Sequence, residues 1–368
     1  MNKLILFVLK HSYTNKVIYM IAMSQKTTKN KQEQIGTNKH YIGIDSGNGF
    51  LKAFSDKGLS TKIPSYICLP KAETENNIID KEGCSVLYFS GVRADLIGKR
   101  FLIGSPAYST SPQGKLEIAQ LDKGKVDYGL HLLLGAIGCM GFTQCDLNIN
   151  LCVSIHHAKN FRDELTKAIY GHHSVELGGK AYNINIDKIL VVNEGGGTLA
   201  ALLANGRVQK TNKMLLLDLG YGTSISSIYQ FGKQIDRNVM TFGVRDLYQA
   251  IAKHPNMIKE RNGKEGDSYI IREGIENKSF QYGNYKPFSF AGIYKECLQA
   301  WSSENLRTTL SDLKEQIDSA NCMFATGGGS CLPMVDKHLE SKGFQVLPNS
   351  HTLNAEGLLL LAKNKLGE

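Results

Sequence analysis

No Cys-x-x-Cys pair occurs in the chain, and its eight cysteines (Cys68, Cys84, Cys139, Cys145, Cys152, Cys297, Cys322, Cys331) are scattered. That argues against a zinc site and against a small disulfide scaffold. Most of them stand in apolar runs, where a free thiol behaves as a small hydrophobe, so a reducing compartment is expected. No apolar run reaches the roughly 20 residues of a membrane-spanning helix. The run at 4–9 is closed by Lys10 and His11 with no small-residue cleavage site after it. The stretch 130–142 carries His131 and several glycines, which suits a buried helix. Tryptophan occurs once, at Trp301, where it is expected to pack a helix.

Charge of one sign is also scarce once the first 39 residues are set aside. The formal charge is +9, but residues 1–39 hold seven lysines against the single acid Glu33. The remainder is therefore close to balanced, and the expectation is a disordered basic extension with a native start at Met20 or Met23. Such an arm can touch nucleic acid or anionic lipid by charge alone, or simply be solvated. Adjacent residues on a strand point to opposite faces, so neither His156-His157 nor His172-His173 is a natural chelating pair, and both are expected as loop or surface histidines.

From residue 40 the text alternates strands and helices, and 368 residues suggest two domains. Strands are expected at 40–44, 50–54, 60–69 and 85–90, a loop at 71–83, and a helix around 126–140. A strand at 147–155, a helix at 161–170, a hairpin turning at Gly178-Gly179 and a strand at 188–192 follow. The opening theme then recurs. Tyr41-Ile-Gly-Ile-Asp45-Ser46-Gly47-Asn48-Gly49-Phe-Leu-Lys52 is matched by Leu215-Leu-Leu-Asp218-Leu219-Gly220-Tyr221-Gly222-Thr223-Ser. Both are an apolar strand ending in Asp, glycines two and four residues on, and a second strand. The repeat implies a duplicated α/β domain. The second half adds strands at 213–217, 224–229 and 321–325, a helix at 298–317 and a terminal helix at 354–365.

Tight glycine hairpins present backbone N–H groups to one point and leave no β-carbon to block a phosphate. Asp45 and Asp218, at the two strand ends, suit a magnesium ion held largely through water. Lys52 can reach the β/γ-phosphates as a point charge. Glu194 ends a strand and precedes three glycines, where it can polarise a water for in-line attack on a terminal phosphate. A plain helix-dipole role is its alternative. Gly327-Gly328-Gly329-Ser330 follows a buried strand, and bare backbone there suits adenine or ribose.

These motifs resemble those of the actin, sugar-kinase and heat-shock-chaperone superfamily. Asp45 to Lys52 is similar to its first phosphate loop, Asp218 to Thr223 to its second, and Phe324 to Ser330 to its adenosine motif. Thr241-Phe-Gly-Val-Arg245-Asp246-Leu247 resembles the segment following the second loop. Glutamate at 194, the layout of 154–192 and the ending Leu347-Pro-Asn-Ser-His-Thr-Leu-Asn354-Ala-Glu-Gly357 are similar to the plasmid-segregation actins of the ParM/StbA type. His156-His157 depart from that family's proline-containing turn.

The resemblance implies an α/β actin-like fold of two RNase H-like domains flanking a nucleotide cleft. Domain I is expected over 40–192, joined by the helix at 354–368, and domain II over 193–353. It implies a cytoplasmic ATPase with Mg2+ and ATP, GTP being the alternative nucleotide. Glu194 and Asp218 are its catalytic carboxylates. Self-association into filaments, a DNA-binding adaptor and plasmid segregation complete the expectation. A non-polymerising ATPase or a small-molecule kinase is the alternative.

Overall fold

A computed structural model describes residues 39–70, 78–112, 114–118, 121 and 123–367. The basic extension, its candidate starts Met20 and Met23, and residues 71–77 of the expected loop lie outside the described residues.

Eighteen strands are described: β1 (Lys39–Ser46), β2 (Phe50–Ser55), β3 (Ser60–Pro64), β4 (Tyr66–Cys68), β5 (Ile79–Asp80), β6 (Gly83–Gly91), β7 (Arg100–Gly104), β8 (Leu116–Glu117), β9 (Asp146–Ile155), β10 (Gly171–Leu177), β11 (Lys180–Asn193), β12 (Met214–Leu219), β13 (Ser224–Gln230), β14 (Lys233–Met240), β15 (Gln281–Tyr282), β16 (Phe288–Ser289), β17 (Cys322–Thr326) and β18 (Gln345–Val346). The larger sheet has the order β3-β2-β1-β9-β11-β10-β6-β7-β4-β8, with β5 paired to β6, and the smaller one β14-β13-β12-β17-β18. The first five positions of the larger sheet repeat the smaller sheet. Each has an antiparallel three-strand meander whose first strand is flanked by two later ones. The motif repeat seen in the sequence is thus a repeat of topology.

Each sheet has its own core. Ile42, Ile44, Leu51, Val86, Ile149 and Leu151 belong to the first, and Leu215, Leu217, Ile251, Ile271, Phe290 and Leu339 to the second. The helix Gly129–Met140 lies almost wholly inside the first core. Its glycines bring it close: a β-carbon on Gly135 would stand 2.4 Å from Ile103 Cγ2, and one on Gly138 2.7 Å from Cys84 Sγ. Among the described residues no helix is long and apolar enough to cross a membrane.

The terminal helix Leu353–Leu366 packs Leu358 and Ala362 against Cys152 of β9. Glycines again set the distance. A β-carbon on Gly43 of β1 would lie 2.1 Å from Leu359 N, and one on Gly357 would lie 1.7 Å from the Gly197 carbonyl oxygen.

Several elements differ from the sequence expectation. The end of the loop expected at 71–83 pairs as β5 with β6. β11 is one strand of 14 residues, bulged between Ile186 and Lys188, where a hairpin arm and a separate strand were expected. The helix expected at 298–317 is broken into Ala291–Trp301, a π-turn at Ser302–Leu306, Arg307–Asp312 and Lys314–Ser319. β14 carries no clear apolar alternation because it is a largely exposed edge strand. His156 and His157 stand in the turn beyond β9 as expected of loop histidines, their ring centroids 5.2 Å apart, whereas His172 and His173 lie on β10 with His173 buried. Trp301 is buried and its Nε1 donates to the Gly243 carbonyl at 3.1 Å.

Candidate nucleotide cleft

In the first hairpin the register sets Asp45 directly opposite Lys52. The seven-residue spacing therefore becomes an ion pair, Lys52 Nζ donating to Asp45 Oδ2 at 2.9 Å. The other carboxylate oxygen accepts from Ser154 Oγ at 3.2 Å and Asn354 Nδ2 at 3.0 Å. Burial alone would raise the Asp45 carboxyl, but Lys52 and the hydrogen bond from Asn354 outweigh it and hold it below its ordinary value.

The second hairpin differs at the corresponding place. Ile225 stands opposite Asp218, so this acid has no lysine across the strands. Burial, then the charges of Asp45 and Glu194, push its carboxyl up to about 7. Two hairpins of similar sequence thus shift their acids in opposite directions, one facing Lys52 across the strands and the other Ile225.

The hairpin tips meet reciprocally. A β-carbon on Gly49 would lie 2.8 Å from Tyr221 Cβ, and one on Gly222 would lie 3.2 Å from Asn48 Nδ2. Each tip glycine faces the residue before its counterpart, which is the local signature of a two-fold repeat.

Glu194 follows β11 at the entry to the helix Gly196–Ala204, its N–H donating to the Ile155 carbonyl at 3.1 Å. Gly195, at φ +87°, makes the sharp turn that a side chain would strain. The Glu194 carboxylate is buried and accepts a hydrogen bond from Lys125 Nζ.

After β17 the chain turns at Gly327, φ +84°, where a β-carbon would stand 2.4 Å from Asp218 Oδ1. Ser330 Oγ donates to the Gly327 carbonyl at 2.9 Å and lies 3.2 Å from Ser350 Oγ, bracing the turn from behind.

These pieces enclose a cleft of about 890 Å3. Of the expected site residues, Asp45, Gly47, Asn48, Gly49, Lys52, Glu194, Asp218, Gly220, Tyr221, Thr223, Gly327 and Gly328 line it. Ser46, Leu219, Gly329 and Ser330 are buried in the supporting layer, and Gly222 faces the opposite hairpin.

Sequence reasoning missed several lining residues. Lys125 sits in the short helix Gly124–Asp127 and Asn354 at the start of the terminal helix, and nothing in their spacing marks them as cleft residues. Phe50, Lys62, Tyr248, Arg272, Glu276 and His351 also line the cleft. Arg272 lies 4.3 Å from the Phe50 ring centre and 4.4 Å from that of Tyr269. Lys62 Nζ closes on Glu276 Oε2 at 3.1 Å. A concave site with an aromatic–guanidinium wall, two glycine hairpins and a central group of acids and lysines suits a polyanion bearing a flat ring.

A duplicated sheet with paired hairpins across a cleft is the actin-like fold. Residues 43–197 match the family described as the N-terminal domain of actin-like proteins. No curated protein matches the chain. Among solved structures, an archaeal actin homolog superposes with a TM-score of 0.69 at 18% identity, over 88% of this chain and 99% of that one. ParM of a 15-stranded filament from Clostridium botulinum gives 0.70 at 16% identity, over 89% and 99%. Bacillus thuringiensis ParM with ATP gives 0.64 at 19% identity, over 90% and 100%. The fold is therefore that of the actin-like proteins, ParM among them.

Proposed function

We propose that the chain is an actin-like ATPase of the cytoplasm that binds Mg-ATP in this cleft, hydrolyses it and assembles into filaments that move plasmid DNA through an adaptor protein. The observation that carries the reading is the reciprocal pair of glycine hairpins with Asp45, Asp218, Lys52 and Glu194 converging between them. The similar proteins add weight, since they include a ParM filament and a ParM with ATP.

In this reading the backbone N–H groups at 47–49 and 220–223 hold the phosphates, and Lys52 adds a positive charge beside them. Gly327 and Gly328 offer bare backbone to the nucleoside, with Arg272 and Phe50 lining the same cleft. The chain is organised as domain I over 40–192 with the terminal helix, and domain II over 193–353.

The carboxylates fit a magnesium ion held through water. Asp45 is held below its ordinary value with both oxygens engaged, while the Asp218 carboxyl, pushed up to about 7, has no lysine opposite it and would gain from a cation. A bound Mg2+ would offset phosphate charge during transfer. Glu194 accepts the proton of the attacking water as its oxygen bonds to the terminal phosphorus and the bond to the bridging oxygen breaks, leaving ADP and phosphate.

The test is light scattering recorded together with phosphate release after Mg-ATP is added to the full chain. A lagged rise in scattering followed by phosphate release is expected. Phosphate release without any rise would leave a non-polymerising ATPase or a kinase, and neither signal would refute the proposal.

A further inference from the structure

Glu194 is asked to take a proton from water, yet its carboxylate already has a partner. Lys125 Nζ donates to Glu194 Oε1, and the two side chains are 8% and 9% exposed. The oxygen that holds the ammonium is not open to a water. The pair also persists only while neither charge has a better partner, because a buried charge left alone is costly.

Lys125 stands where such a partner would arrive. It belongs to the short helix Gly124–Asp127. It lines the nucleotide cleft and also an adjoining cavity of about 590 Å3, together with Asn48 of one hairpin tip and Thr223 of the other. Lys125 thus shares a cavity with a residue from each of the two tips that would hold a terminal phosphate. Of the three lysines lining the cleft, Lys52 bonds Asp45, Lys62 bonds Glu276 and Lys125 bonds Glu194, so an exchange at Lys125 is the one that frees the water-facing acid. A terminal phosphate carries more negative charge than a carboxylate and offers several acceptor oxygens, so it competes strongly for an ammonium.

Resting on the nucleotide reading above, we propose that Lys125 is a positioning residue that acts as a latch on Glu194, exchanging the carboxylate for the terminal phosphate of a bound triphosphate. With a diphosphate the latch stays closed and Glu194 remains tied. With a triphosphate Lys125 turns to the phosphate oxygens, and Glu194 is freed to face water. The exchange gives the chain a means of telling triphosphate from diphosphate that depends on Glu194 itself.

The experiment is calorimetric titration of the full chain with Mg-ADP and with a non-hydrolysable Mg-ATP analogue. It compares the wild type, Glu194→Gln, Lys125→Met and the double variant. The double variant leaves neither charge unpaired, so it keeps the test open if Lys125→Met alone fails to fold. Glu194→Gln removes the competing partner, and is expected to raise the preference for the triphosphate analogue over ADP at least fivefold above wild type. In the double variant that gain is expected to vanish, with the preference at least tenfold below that of Glu194→Gln. A merely structural pair would move both affinities together and leave their ratio fixed. Equal ratios in Glu194→Gln and the double variant, with wild type binding both nucleotides, overturn the latch alone. Wild type binding neither nucleotide overturns the nucleotide reading and the latch with it.

Discussion

Gly49 lies flat against Tyr221, so close that a β-carbon on the glycine would stand 2.8 Å from both Tyr221 Cβ and Cγ. The blocking atoms are the root of the side chain, which cannot swing away without moving the second hairpin's backbone. Gly49→Ala is therefore expected to spread the hairpins. It should destabilise the chain by about 1–3 kcal/mol, as overpacking of a close contact does, and weaken nucleotide binding. Adding Tyr221→Gly should restore both, as read by thermal unfolding and nucleotide titration. Wild-type behaviour of the single variant would show that the tips do not need this contact.

The terminal helix depends on a similar contact. Alanine is a better helix former than glycine by about 1 kcal/mol, which on its own would make Gly357→Ala stabilising. At Gly357, however, the new β-carbon would meet the Gly197 carbonyl oxygen at 1.7 Å. The clash is with backbone and wins. A net loss of about 3 kcal/mol is expected in denaturant unfolding, and an unchanged midpoint would mean that the two helices separate at little cost.

Glu194→Ala is expected to bind Mg-ATP and to lose hydrolysis by roughly 10²- to 10⁴-fold, the usual range for removal of a proton acceptor. Single-turnover phosphate release measures this directly. Turnover at the wild-type rate would remove Glu194 from the reaction.

Two buried histidines are expected to make the fold sensitive to acid. Burial lowers His131 and His173 from 6.5 to about 4. His173 is held neutral as Nε2 donates to the Ile169 carbonyl at 3.1 Å and Nδ1 accepts from Tyr88 Oη at 2.8 Å. The unfolded chain binds these protons first, so stability is present above pH 6.5 and lost as pH falls toward 4. At pH 5 the loss is on the order of 2 kcal/mol per histidine relative to pH 7.5. Among the described residues His131 Nδ1 has no hydrogen-bond partner, so His131→Leu should change stability little at pH 7.5 and flatten the acid slope in thermal unfolding. An unchanged slope would assign the acid sensitivity elsewhere.

The parts of the cleft legible in the sequence are those made by local backbone. Asp45 and Asp218, with their glycines, announce themselves because a hairpin fixes neighbours a few residues apart. Lys52 is legible too, since its spacing sets it across the strands from Asp45. Asn354 and Lys125 are not. Asn354 reaches Asp45 only because the terminal helix returns to β1, and Lys125 meets Glu194 across 69 residues of chain. The aromatic–guanidinium wall is hidden for the same reason, since Phe50 and Arg272 come together only in the folded chain. The interruption of the helix at 291–319 is marked only by weak helix formers, Ser302, Ser303 and Asn305 at the break and Thr308, Thr309, Ser311 and Asp312 after it.

The central claim is that the paired hairpins hold a magnesium nucleotide between two acids. It is tested most directly by titrating ATP into the full chain with and without Mg2+, for wild type and for Asp218→Asn. That substitution keeps the shape and removes the charge. The account predicts that wild-type binding strengthens markedly with Mg2+ and that Asp218→Asn loses at least about tenfold of that gain, roughly 1.4 kcal/mol. Equal affinity of the two proteins in the presence of Mg2+, or no binding by wild type, would contradict it.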